Sequence, residues 1–113
     1  MQINLKQLVP VTQLTAAAVV YYTAPALTTA EVTAATATNV TATTQTLSVS
    51  MVPSGGTVGV TNIVVQLRSV PANSSIQLWE LIAQKLPPGA TIQAQASAAG
   101  AINLTIGGRE VIG

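Results

Sequence analysis

Glu31, Glu80 and Glu110 are the only acidic side chains in this sequence, which has no histidine, cysteine or aspartate. The usual general base, the thiol nucleophile and most transition-metal ligands are therefore missing. A glycosidase-type acid/base pair needs two carboxylates at a fixed separation. The strand and helix placement of the three glutamates gives no reason for any two to converge. The residues therefore predict no enzyme, with no catalytic, cofactor-binding or metal-ligating position. The carboxylates read as surface groups. Glu110 beside Arg109, and Glu80 ahead of Lys85, are the expected ion pairs, each worth less than about 1 kcal/mol. Pairing between subunits is the alternative.

Other motifs are equally spare. Gly55, Gly56 and Gly59 do not form a phosphate cradle, because such a site needs a helix after the glycines and the chain continues here as strand. Asn39, Asn73 and Asn103 each begin an Asn-X-Ser/Thr sequon, which a threonine-rich chain produces by chance. Trp79, Tyr21 and Tyr22 are the only aromatics and suggest a sugar platform as one reading. Trp79 opens an apolar i, i+3 set, however, and is expected in the core.

The elements that must carry these residues read as strands. Around Thr44–Val70, Leu47, Val49 and Met51 alternate with Thr46, Ser48 and Ser50, and Ile63, Val65 and Leu67 alternate with Val64, Gln66 and Arg68. That period of two, interrupted by Pro53-Ser54-Gly55-Gly56, predicts two antiparallel strands around a reversal. Residues 1–12 read as an N-terminal arm or short edge strand, packed either on a neighbour or on their own domain. Residues 13–113 read as one domain. Gln13–Tyr22 is strand-like, with Leu14, Ala16, Ala18, Val20 and Tyr22 on one face. Thr28–Asn39, rich in threonine and alanine, belongs near an edge or against a close neighbour. Ser75–Leu78 starts a short strand. Trp79, Ile82, Ala83 and Leu86 suggest a helical turn near 79–86. Thr91–Ser97 and Ala101–Ile106 complete about eight strands. The prediction is all-β: a two-sheet antiparallel sandwich of jelly-roll or immunoglobulin-like type.

Charge is the unusual quantity. Only 6% of residues are charged, against about 25% in an ordinary soluble domain. A folded chain of this mass exposes roughly 5,800 Å², so charges are spread at about one per 800 Å². A free monomer guards its solubility with more charge than this, and the inference is a surface covered by partners. The longest apolar run, Ala16–Tyr22, is far short of a membrane span. Lys6 and the following residues imitate a secretory signal only superficially, since Pro10, Thr12, Gln13 and Thr15 interrupt it. A net charge of +1 gives no footprint for nucleic acid or anionic lipid.

Met51-Val52-Pro53-Ser54-Gly55-Gly56, the Pro71-Ala72-Asn73 turn, Leu86-Pro87-Pro88-Gly89-Ala90-Thr91-Ile92 and Ile102-Asn103-Leu104-Thr105-Ile106-Gly107-Gly108-Arg109-Glu110 resemble small virion proteins of tailed bacteriophages. Tyr22-Thr23-Ala24-Pro25-Ala26 fits the same pattern. Within that group the chain looks most like capsid cement or decoration proteins; tail, collar and fibre-adaptor proteins share similar sandwiches. The resemblance implies a virion structural protein on the capsid exterior, assembled in the host cytoplasm. Its expected partners are the major capsid protein or other virion subunits, and its own copies in a dimer or trimer. A carbohydrate-binding module using Trp79, Tyr21 and Tyr22 is the competing expectation.

Overall fold

The structure, a computed structural model, describes residues 2–112. Met1 and Gly113, the outer bounds of the expected arm and domain, lie outside the described residues. Among the described residues there are nine strands: β1 (Gln2–Gln13), β2 (Val19–Thr23), β3 (Thr28–Asn39), β4 (Gln45–Val52), β5 (Ile63–Val70), β6 (Ser75–Gln77), β7 (Lys85–Leu86), β8 (Thr91–Ala96) and β9 (Ile102–Ile112). They form two antiparallel sheets. The first has the order β1-β9-β3-β6, with β7 also on β3; the second has the order β2-β8-β4-β5. With the two-residue β7 set aside, eight strands pass between the sheets in jelly-roll order. This decides between the two sandwich types left open by the sequence.

Period-two patterning explains the long strands. Along β9, Ile102, Leu104, Ile106, Gly108 and Glu110 are buried, while Asn103, Thr105, Gly107 and Arg109 face outward. The inner faces of β3, β4 and β8 supply Val32, Ala35, Leu47, Val49, Ile92 and Ala94 to the same core. Burying each large aliphatic side chain contributes roughly 1.5–3 kcal/mol. β3 lies in the interior of its sheet, not at an edge. The close neighbour its small side chains allow is β9. A Cβ added at Gly108 would overlap the Glu31 carbonyl oxygen and come within 2.9 Å of Leu8 Cδ1.

Three sequence expectations need correction. The single strand expected over 13–22 is broken. Leu14 donates its N–H to Ile102 O in the first sheet, and Thr15 O accepts from Ala96 N–H in the second, so the chain changes sheets there. Ala16 and Val20 are exposed, not inward. The helical turn is one 3-10 turn, Trp79–Leu81. Its three-residue period buries Leu78 and Leu81 and leaves Trp79 66% exposed, so the tryptophan is not in the core. Finally, the β4–β5 pair is antiparallel as the alternation predicts, but β5 is bulged. Leu67 has φ +48° and is exposed, out of phase with buried Val65.

The residues read as an arm form the 12-residue edge strand β1, paired with β9 from Gln2↔Ile112 to Gln13↔Asn103 and bulged after Gln7 and after Val9. No helix among the described residues is long and apolar enough to cross a membrane.

Candidate interaction surface

All four basic and all three acidic side chains are paired within the chain. The pairs differ from those expected, because sheet register rather than sequence proximity brings them together. Arg109, Glu31 and Lys85 occupy one row across β9, β3 and β7. There the Glu31 carboxylate accepts from Arg109 Nε at 2.7 Å and lies 3.2 Å from Lys85 Nζ. Lys85 first, then Arg109, holds the Glu31 carboxyl below the usual carboxylate range. Arg68 Nη1 donates to both oxygens of Glu80, at 2.9 and 2.7 Å, tying β5 to the 3-10 turn. A backbone N–H bond and then Arg68 hold Glu80 low as well.

Glu110 points the other way, into the sandwich, and is 6% exposed. The Tyr22 hydroxyl on β2 donates to it at 2.5 Å, linking the two sheets, and Lys6 Nζ on β1 is 3.6 Å away. Burial, then the bond to Glu110 and its charge, pushes the Tyr22 hydroxyl well above its ordinary value. This is a structural tie. The three carboxylates sit in three separate environments, and no group of titratable side chains among the described residues could hold a metal ion.

The outer face of the second sheet is different. Ser48 and Ser50 from β4 and Gln93 and Gln95 from β8 floor an open groove of about 330 Å³. Val58, Gly59 and Val60 from the 53–62 loop, with Ile63 and Leu67 of β5, form its wall. The loop begins with a turn in which Gly56 N–H bonds Pro53 O at 2.9 Å and Gly55 has φ +78°, a backbone region open to glycine at little cost. Leu67 has no such freedom. Its left-handed backbone is held by its N–H bond to Ser48 Oγ, 3.0 Å, while its side chain stays 64% exposed. A leucine at positive φ costs energy, and such strain concentrates at functional positions. Val60 at the rim is 85% exposed. The groove offers hydroxyls, amides and apolar walls, and no titratable group. It suits a neutral surface that displaces water without trapping a charge.

The sequence did not single out this groove. Ser48 and Ser50 were legible as an outward face, but the folding of the 53–62 loop beside them and the reversal at Leu67 depend on tertiary packing. The aromatic platform does not assemble: Trp79 is carried beside β5, and Tyr21 and Tyr22 lie on β2 at the opposite edge. Three strand spacings separate those edges, roughly 14 Å. Tyr22 is buried, and Tyr21 packs partly against the core. Of the sequons, Asn39 is buried, donating to Thr43 O and Val70 O and accepting from Thr41. Asn73 is an exposed turn residue at φ +52°. Asn103 lies on β9 with its Oδ1 buried and unpartnered.

Neither a protein-family model nor a curated protein nor a solved structure matches this chain.

Proposed function

We propose that this chain is a non-enzymatic structural subunit whose work is to lie against other subunits, and that it serves as a capsid cement or decoration protein on the exterior of a phage head. The observation that carries the reading is the complete internal pairing of its charges beside an uncharged outer sheet face with a groove. A surface of this kind gains little from isolation in water. Against a coat lattice it exchanges neutral hydrogen bonds and buries exposed Val58, Val60 and Leu67, with many copies adding by multivalency. Jelly rolls also occur in viral capsid and lectin domains, a fold-level analogy compatible with either role. The same logic serves a tail, collar or fibre-adaptor position.

The test is to mix the purified chain with empty coat shells from its own source and sediment them. The expected result is a fixed ratio of chain to coat subunit and later heat disassembly of the shells. A folded chain that stays in the supernatant overturns the proposal.

A second reading, a carbohydrate-binding module, rests on the exposure of Trp79. Because Trp79 is outside the core, Trp79→Ala should fold normally. Glycan-array binding that this substitution abolishes would establish the second reading in place of the first.

A further inference from the structure

We infer that the free edge of β1 pairs two copies of this chain, antiparallel about a two-fold axis at Asn4, joining their first sheets into one; the inference deepens the subunit-association reading above and rests on it.

The backbone directions follow from register. Val32 sends both its N–H and its C=O towards residues 83–84: it donates to Gln84 O at 3.0 Å and accepts from Ala83 N–H at 2.7 Å. In an antiparallel ladder, successive residues face alternate sides. Glu31 therefore faces β9, its partner Arg109 faces β3, and Gly108 and Glu110 face β1. Lys6 and Asn4, paired with Gly108 and Glu110, spend their backbone groups on β9. Ile3, Leu5 and Gln7 are left with N–H and C=O groups directed off the free edge.

The devices that blunt an edge strand are unevenly placed along β1. Both bulges and Pro10 fall in its C-terminal part, whereas Gln2–Gln7 keep an unbroken register. Lys6, the only charge in that stretch, faces inward to Glu110. On the outer side Leu5 is 82% exposed and Ile3 50%.

A two-fold interface requires that if residue i meets residue j, then j meets i. Centring on Asn4 satisfies this with matched chemistry. Ile3 meets Leu5 of the other copy, and Leu5 meets its Ile3, as hydrogen-bonded pairs with both apolar chains on the outer face. Asn4 meets its own copy, and Lys6 meets Gln2 with no like charge opposite. Moving the centre to Lys6 sets lysine against lysine. Centring on Leu5 sets Ile3 against Gln7. The contact is short, well below the roughly 1,200 Å² of a standard interface, so the pairing should depend on concentration.

The experiment is sedimentation of the isolated full chain from micromolar to near-millimolar concentration, with Leu5→Lys and Val60→Lys beside it and circular dichroism melts confirming folding. The expected result is a reversible dimer, weakened about tenfold or more by Leu5→Lys and unchanged by Val60→Lys. Asn4→Cys adds a second readout in a chain that has no cysteine. Facing non-hydrogen-bonded positions lie about 4.5 Å apart between Cα atoms, within disulfide reach. Under mild oxidation Asn4→Cys should form a covalent dimer, and Gln13→Cys should not. A strict monomer, a dimer indifferent to Leu5→Lys, or failure of Asn4→Cys to cross-link overturns the inference. Shell binding is measured separately, so loss of one result does not remove the other.

Discussion

On the outer face of the first sheet, Arg109 and Lys85 stand in one row and share the single carboxylate of Glu31; on the outer face of the second, Ser48, Gln93 and Gln95 offer only hydroxyls and amides. The difference bears on which face a partner covers. Burying the ionic row would strip water from three charges, a penalty that mutual attraction repays only with excellent geometry. Burying the neutral face asks only that hydrogen bonds to water be exchanged for hydrogen bonds to protein. On the proposed reading the second face is the one fitted to a partner lattice, while the ionic row of the first is better left in water.

The largest test of that division is at Gly108. Gly108→Val forces β9 away from the Glu31 carbonyl and should cost more than about 3 kcal/mol in urea unfolding, with many preparations failing to fold. Gly59, beside the groove, has open space around its Cβ position, and Gly59→Ala should change stability by less than about 1 kcal/mol. Equal costs at the two positions would break the comparison.

Next comes the tie between the sheets. Tyr22→Phe leaves Glu110 with Lys6 alone and should cost about 1.5–3 kcal/mol, the range for a hydrogen bond to a charged group. The Tyr22 hydroxyl titrates higher in the folded chain than in the unfolded one. Its contribution is therefore complete below the unfolded value of about 10 and is lost as pH rises beyond it. The wild-type chain should lose stability in that alkaline window, and Tyr22→Phe should flatten the slope. An unchanged alkaline profile would show that the tie is not formed.

A smaller effect on stability, but a large one on binding, is expected at Gln95, which floors the groove. Gln95→Lys introduces an unpaired charge and should weaken shell binding about tenfold, with no change in melting temperature. Lys85→Gln, on the ionic face, should leave binding unchanged. The reverse outcome would move the lattice contact to the first sheet. The least effect belongs to Glu31→Gln, whose carboxylate is solvated. Glu31 titrates below its unfolded value, so its small contribution exists above that value and fades as pH falls through the folded one. The variant should melt slightly below the wild type at neutral pH, and the two should converge as acid protonates Glu31.

Much of this architecture was legible in the residues, because strand alternation reports directly on which side chains must be buried. Thr28–Asn39 has the bounds of β3, and the Pro53-Ser54-Gly55-Gly56 reversal falls where β4 ends. What alternation cannot see is a bulge. One extra residue reverses the phase of everything beyond it, which is why Leu67 is exposed out of turn and why Val20 leaves the face of Tyr22. Trp79 was misplaced for a related reason: a 3-10 turn repeats every three residues, so Leu78 and Leu81 took the buried positions that a 3.6-residue repeat assigned to Trp79 and Ile82. Ion pairs were illegible for want of register, since Arg109 meets Glu31 across a ladder 78 residues away in sequence. No motif marked the groove, because its floor and wall come from three strands and a loop with no shared spacing.

The most direct test is sedimentation of the chain with coat shells of its source at low and high salt. If the binding surface is neutral and every charge is already paired, the bound ratio should be fixed and nearly independent of ionic strength, because there is little long-range attraction to screen. No binding, or binding that salt abolishes, would contradict the account.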